Sequence, residues 1–241
     1  SSEKNFDLFS MGNKIEKPAN ISDSIDIKFG GKSYSLNCFS AYTTAIDNAQ
    51  KFKNFGTIAM YRSDDRKTMV EMIAETKEIA LFLDLEVSRN IDGDFSANEA
   101  KEAAEMLFIQ LYGEGFFNDY EYDGTTTSNE ESEKVYSLCY KRTVWGFDTD
   151  DSVVIVYNFN GELVSFNAYG KDIMKFAEED LTKEDIEGAI AAVTKTFSDT
   201  WYIGNSKLTL DSEGDYYLTT YLVHADDGEI TELRKVYTKI K

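Results

Sequence analysis

Residues 151–169 hold the pattern that most constrains the fold, because they predict an antiparallel β-hairpin. A run of β-branched residues begins at Val153, the turn pair Asn160-Gly161 follows, and an apolar return strand begins at Leu163. β-Branched residues favour strands, and an Asn-Gly pair favours a tight hairpin turn. A chain with this hairpin near its centre is expected to build an antiparallel sheet around it.

The same pattern occurs at two other places in the chain. The turn at 160–163 resembles the turn at 227–230 and, more loosely, the turn at 76–79. An apolar residue precedes each turn by four positions: Met72, Val156 and Val223. The recurrence predicts a duplicated unit, and the alternative is that ordinary hairpins share a turn by chance. Lys77 makes the first copy the weakest, because a residue other than glycine resists a positive φ.

Charge and composition exclude several classes of function. The 241 residues include 44 acidic and 25 basic side chains, which gives a formal charge of −19. Such a surface repels phosphate backbones, so we expect no nucleic-acid partner. The sequence lacks an apolar run of about 18 residues, the length that a membrane span needs. It also lacks a glycine-rich phosphate loop, so we expect no nucleotide cofactor, and no other cofactor is predicted.

The first third of the chain is predicted to be rich in strands. Residues 25–36 form a short hairpin around Gly30-Gly31, and residues 57–87 form a meander. In the last strand of that meander, the alternation from Ile79 to Val87 predicts that the odd-numbered residues pack and the even-numbered ones face water. The periodicity of residues 40–52 indicates a short helix, and the polar residues 124–133 indicate a loop.

Two amphipathic helices have clear start signals. The first begins at a capping box that joins Ser96 to Glu99, and the second at one that joins Thr182 to Asp185. Apolar residues then recur at helical spacing, from Ala100 to Leu111 in the first helix and from Ile186 to Phe197 in the second. Both helices are therefore predicted to lie on a sheet.

These elements predict an α+β fold of tandem units, each with one helix packed on an antiparallel β-meander. The predicted boundaries are an N-terminal tether at 1–23, a β-rich part at 24–95 that ends in a related hairpin, a first unit at 96–170 and a second unit at 181–241.

The combination of a capped helix and a [DN]-G-E-[IL] hairpin resembles the PepSY and peptidase-propeptide-like modules of bacterial exported proteins. The residues that carry the resemblance are 96–100 with 153–166, 182–185 with 221–233, and the turn at Trp145-Gly146-Phe147. The resemblance extends over roughly residues 68–241. Two features differ between the units. Gly188 in the second helix stands where the first has Glu102, and the segment 123–133 enlarges the first unit. Both differences argue against a partner surface that the two units share.

The resemblance implies a function in binding and no catalytic residues. Such modules flank or inhibit secreted peptidases or occur in cell-surface proteins. We therefore expect a non-catalytic, exported protein that is extracellular or at the cell surface and binds a protein or peptide; a lipid anchor on a removed N-terminus is one way to hold it there. The alternative is a surface lipoprotein that binds a small ligand or glycan.

A calcium loop is the sharpest metal-site hypothesis in the sequence. Residues 88–99 place oxygen donors at the spacing of an EF-hand loop, with Gly93 at its turn. Ser88 occupies the first position, where a carboxylate is expected, and a strand precedes the loop. A strand-to-helix turn with a capping box explains the same residues without a metal. The candidate ligands are Asn90, Asp92, Asp94, Ser96 and Glu99.

A dense group of aromatic residues is the candidate binding surface. Aromatic rings can stack on sugars or pack against protein partners, although rings at a helix end also commonly belong to the core. The group consists of Tyr112, Phe116, Phe117, Tyr120 and Tyr122.

The sequence indicates structural roles for the remaining cysteine, histidine and aspartate side chains. Cys38 and Cys139 are about 100 residues apart and lack zinc-ligand spacing, so two buried free thiols are expected, with pairing left open. His224 is the one histidine, and it lies in a predicted strand without a nearby nucleophile. Carboxylates such as Asp148, Asp150 and Asp151 are expected to solvate a loop.

Overall fold

The computed structural model describes residues 10–45, 53–174, 181–197, 200–211 and 213–240. The fold is α+β, as predicted: its strands are mostly antiparallel and its helices are few. In this described part of the chain, no helix has the length and apolar character needed to cross a membrane.

The N-terminal part consists of six strands. They are β1 (Ser10–Ile15), β2 (Ser24–Phe29), β3 (Lys32–Ala45), β4 (Thr57–Arg62), β5 (Thr68–Ile73) and β6 (Ile79–Asp84).

The central part adds two helices and four strands. They are α1 (Ala97–Tyr112), α2 (Phe116–Asp119), β7 (Tyr120–Glu130), β8 (Glu133–Val144), β9 (Phe147–Asn158) and β10 (Leu163–Asn167). The C-terminal part has one helix and three strands. They are α3 (Lys183–Thr196), β11 (Trp201–Leu210), β12 (Tyr216–Asp226) and β13 (Glu229–Lys239).

The strands join in one branched sheet. Its main path runs β1-β3-β4-β5-β6-β10-β9-β11-β12-β13, while β2 pairs with β3 and the β7–β8 hairpin joins through β9. The parallel contact in the path is short and joins β9 to β11, after the crossover through α3. Hydrogen bonding is therefore continuous across the predicted unit boundaries, which remain predictions.

Both predicted helices form and pack on the sheet through the predicted faces. Ser96 and Thr182 are the N-caps, and each makes the reciprocal capping-box contacts. In α1 the buried face includes Ala104 and Phe108, and in α3 it includes Ile186 and Val193. The two helices belong to different core clusters, and the adjacent β4 residues Ile58 and Ala59 also divide between these clusters. The N-terminal meander is therefore buried on both faces.

The predicted inward face of β6 is wrong. Phe82 and Asp84 are buried, whereas Leu85 is 62% exposed. The ring of Phe82 contacts Phe29 at 4.8 Å, and the Asp84 carboxylate accepts a hydrogen bond of 2.8 Å from the hydroxyl of Tyr34. The Asp84 carboxylate can be buried because it accepts this hydrogen bond. The alternation of apolar and polar residues in a sequence does not indicate such a distant hydrogen-bond donor.

Three further local predictions are corrected. Residues 10–15 of the predicted tether form β1, and residues 40–45 of the predicted short helix belong to β3; residues 46–52 lie outside the described part. The predicted polar loop at 124–133 is mostly strand, because β7 pairs with β8 as far as Glu130. In each case tertiary pairing outweighs a weak local preference.

The three recurring hairpins all form, although their turns differ. Lys77 has a φ of 64°, the left-handed conformation that is unfavourable for a residue other than glycine. Asp227 and Gly228 both have positive φ, whereas at the central turn Gly161 has positive φ and Asn160 does not. The shared sequence pattern therefore predicts the hairpins and not one common turn geometry.

Candidate functional site

The predicted aromatic group is largely part of the core. Phe116 is 6% exposed and Tyr120 is 2% exposed, and their rings stack with centroids 4.6 Å apart. Tyr112 stacks on Phe116 from α1, and Phe117 is half-buried beside them. Tyr122, 40% exposed, is the most accessible ring of the group. Most of this group therefore stabilises the contact between α1 and the sheet.

The side chains of the candidate calcium loop point to different partners. Asn90 donates a hydrogen bond to the backbone carbonyl of Glu131, and Asp92 forms an ion pair with Lys134. The Glu99 carboxylate accepts bonds of 2.8 Å from the N–H and hydroxyl of Ser96, and these bonds lower the pKa of Glu99. Asp94 is exposed. These contacts of the candidate ligands favour a strand-to-helix turn over a calcium loop.

Gly93 is explained by close packing. A Cβ built on Gly93 would lie 2.1 Å from the carbonyl oxygen of Phe159, whereas a Cβ on Gly188 of α3 meets open space. We expect Gly93→Ala to lower the free energy of unfolding by about 1–3 kcal/mol, because backbone must move to admit the methyl group. The matched variant Gly188→Ala should raise it by about 0.5–1 kcal/mol. Urea titration measures both, and equal effects would contradict the packing explanation.

His224 and the two half-buried thiols have structural surroundings. His224 Nδ1 lies 2.6 Å from the hydroxyl of Thr231, and its ring packs 5.1 Å from Trp201. Cys38 and Cys139 are both free, and burial is the main cause that raises the pKa of each thiol. A raised thiol pKa reduces the thiolate fraction and hence reactivity.

The three predicted loop carboxylates lie in β9 instead, and one of them is deeply buried. Asp148 pairs with Lys141 at 2.8 Å, and Asp150 pairs with Lys207 at 3.7 Å. Asp151 is 1% exposed, and burial raises its pKa to about 7 although the Arg142 guanidinium acts in the opposite direction. Asp151 is therefore the ionisable group whose surroundings depart furthest from the expected solvated loop.

Asp151 and Arg142 together hold one backbone segment. Arg142 Nη1 lies 3.2 Å from the Asp151 carboxylate and donates a 2.8 Å bond to the carbonyl of Met174. The N–H of Met174 lies 3.4 Å from the same carboxylate. Tyr120 and Asp172 add a reciprocal contact, in which the Tyr120 hydroxyl donates to the carboxylate and accepts from the backbone N–H. We call these five residues the 174 latch; it fixes the backbone of Asp172 and Met174, just after the first predicted unit.

Two cavities in the described part of the chain are open and of mixed polarity. One of about 340 Å³ lies beside Arg142, Trp145 and Asp119. Another, of about 380 Å³, lies between α1 and the β5–β6 turn and is lined by Tyr112, Lys77 and further residues. Both volumes fall within the range of about 300–1,000 Å³ that is typical of small-molecule sites, but such sites usually enclose the ligand and have a mostly apolar lining. These shapes give little support to the small-ligand alternative.

The C-terminal hairpin ends the sheet with an accessible edge. Among the described strands, β12 alone pairs with β13. The residues from Glu229 to Lys235 are all exposed. In an antiparallel sheet, alternate backbone N–H and C=O groups of such a strand point away from its neighbour. The outer edge of β13 can therefore accept another strand.

One face beside that edge is apolar and open. The register places Tyr202, Val223 and Leu233 in one row across three strands, and Ile230 pairs with Ala225 next to that row. Tyr202 is 61%, Ile230 66% and Leu233 69% exposed. We call Tyr202, Val223, Ile230 and Leu233 the terminal face. The sequence pattern does not predict the terminal face. Alternation of apolar and polar residues shows that a strand has two faces, but it does not show which face stays uncovered by a helix.

Comparisons with known proteins give a match in structure and none in sequence. No protein-family model matches the chain, and no curated protein matches it. A solved structure that resembles it is the Bacillus megaterium YpeB C-terminal domain, with 8% sequence identity and a TM-score of 0.43, over 95% of this chain and 90% of that one. The likeness lies in the α+β fold.

The YpeB domain contains PepSY-like modules, the kind of module that this sequence resembles. At this TM-score the likeness carries no conclusion about residues or function. Neither the 174 latch nor the terminal face is identified by it.

Proposed function

We propose that this chain is a non-catalytic, exported bacterial protein that binds a protein or peptide at the outer edge of β13. The observation that carries the proposal is the combination of an accessible strand edge with the terminal face beside it. In β-strand addition, backbone hydrogen bonds supply affinity, and contacts with alternate side chains supply specificity. Leu233 lies on β13 itself and belongs to both features.

A second described edge differs from β13 in its net charge. β8 is the described neighbour of β7, and β7 is interrupted by a bulge between Tyr122 and Gly124. It carries the acidic residues Glu121, Asp123 and Glu130. Bulges and charges are the devices by which proteins protect an edge from pairing. β13 also has a register shift, at Thr231, so the contrast lies in net charge: β7 carries acidic residues alone, whereas β13 carries three basic and two acidic ones. This difference in charge supports β13 as the edge that is available to a partner.

The expected ligand is an extended segment with alternating apolar side chains. One face of an added strand would continue the row Tyr202, Val223 and Leu233, so every second residue should be apolar. Panning of a displayed peptide library on the immobilised protein should enrich such sequences. We expect Leu233→Lys to weaken binding of the enriched peptides by about tenfold or more, since it places a charge in that row.

A matched variant separates the edge from a general surface effect. Met106 is 71% exposed on α1, close to the 69% exposure of Leu233, so Met106→Lys adds the same charge far from β13. It should leave binding unchanged. Enriched peptides without alternation, or equal affinity for the Leu233→Lys variant and the unchanged protein, would contradict the proposal.

A further inference from the structure

We propose that a second copy of this chain occupies the outer edge of β13, so that two β13 strands pair antiparallel about a two-fold axis centred on Leu233. This inference rests on the proposed function and names the partner of the same edge. Its basis is the sequence Glu232-Leu233-Arg234 within an exposed strand.

The symmetry restricts the possible registers. A two-fold axis perpendicular to the sheet keeps each face on its own side, and directly opposed residues of an antiparallel pair share a face. A strand paired with itself must therefore be centred on one residue. A centre at Leu233 places that residue opposite its symmetry mate and places Glu232 opposite the Arg234 of the other copy, twice.

The neighbouring centres are unfavourable. A centre at Arg234 opposes two guanidinium groups and places Leu233 opposite Lys235. A centre at Glu232 opposes two carboxylates. Like charges directly across a strand pair destabilise it, whereas opposite charges and apolar pairs stabilise it. Leu233 is thus the centre that satisfies charge and apolar matching together.

The local charge also permits two copies to approach. The chain as a whole carries −19, yet β13 contains three basic residues, Arg234, Lys235 and Lys239, against two acidic ones. This local surplus of positive charge reduces the repulsion between two copies along β13. Pairing would also join the two terminal faces, because Leu233 lies at the axis and Tyr202 and Ile230 lie in or beside its row.

Charge exchange tests the register directly. In Arg234→Glu, homodimers would place Glu232 opposite the introduced glutamate, and in Glu232→Arg they would place Arg234 opposite the introduced arginine. When these two variants are mixed, each copy meets the opposite charge at both positions only in the heterodimer. Sedimentation velocity should show a weak dimer for the unchanged protein up to about 1 mM, monomers for each variant alone, and a dimer for the mixture.

The mixture excludes explanations within one chain. Arg234 also pairs with Glu232 of its own strand at 2.7 Å and lies over the Trp201 ring at 4.9 Å. Each single variant loses the first contact, and mixing does not restore it, so a recovered dimer reports contacts between copies. Thermal melting of each variant verifies folding.

Each outcome decides the inference. A dimer in the mixture, and in the double variant that carries both exchanges, supports the register. An unchanged protein that stays monomeric while it binds alternating peptides at β13 overturns the second copy and leaves the proposed function standing. Monomers throughout together with no peptide binding overturn both. Dimers that persist in both single variants place the interface elsewhere and overturn this inference.

Discussion

The variant Phe108→Ala is expected to lose about 3–5 kcal/mol of unfolding free energy, the largest effect that we predict for a single side chain. Phe108 is 0% exposed, and its ring contacts Phe116, Tyr140 and Phe166 at 4.9, 4.8 and 6.3 Å. These contacts join α1 to the sheet. A cavity at this position would therefore weaken the scaffold that holds the strands in register.

The control is Met106→Ala, on the same helix and 71% exposed. It should change the unfolding free energy by no more than about 0.5 kcal/mol. Chemical denaturation followed by circular dichroism measures both variants. A loss below about 1 kcal/mol for Phe108→Ala, or equal losses for the two, would show that α1 does not pack on the sheet through this face.

Asp151 is expected to make stability fall as the pH rises from about 4 to about 7. Its folded-state pKa is about 7, above the unfolded value of 3.8, because burial disfavours the charged carboxylate. Between these values the folded state binds more protons at this site than the unfolded state, so this group stabilises the fold at low pH and the stabilisation is lost as the pH approaches 7. The groups that face it are Arg142, Asp172 and the N–H of Met174.

The variant Asp151→Asn removes this titration and keeps an oxygen that can accept from the Met174 N–H. One pKa unit corresponds to about 1.4 kcal/mol, and the folded carboxyl is half ionised at pH 7, so the stability of Asp151→Asn relative to the unchanged protein should rise by about 2 kcal/mol between pH 5 and pH 7. Urea titrations of both proteins across this range measure the difference. A difference that is independent of pH would show that Asp151 is not held in the buried site of the 174 latch.

Local signals in the sequence predict the helices and hairpins well. The capping boxes at Ser96 and Thr182 form as expected, because each depends on side chains three residues apart. The Asp227-Gly228 turn is also a local signal, because both positions have positive φ and an Asp-Gly pair favours such a turn.

The sequence could not predict features that depend on distant partners. Asp84 is buried because Tyr34, 50 residues away, donates to it. Asp151 is buried because Arg142 and the backbone of Met174 surround it. Likewise, β13 is an edge because the sheet path ends there, which is a property of the whole topology. The pairing residues of the candidate site therefore required the structure.

Amide hydrogen exchange along β13, measured in dilute and in concentrated protein, tests the central claim most directly. In dilute solution the outward-pointing amides of β13 near Leu233 should exchange rapidly, while those that bond to β12 stay protected. When the protein is concentrated, or an alternating peptide is added to the dilute protein, the outward amides should become protected while the amides of β7 do not change. Outward amides that exchange at the same rate under all three conditions would contradict the claim that this edge is the binding site.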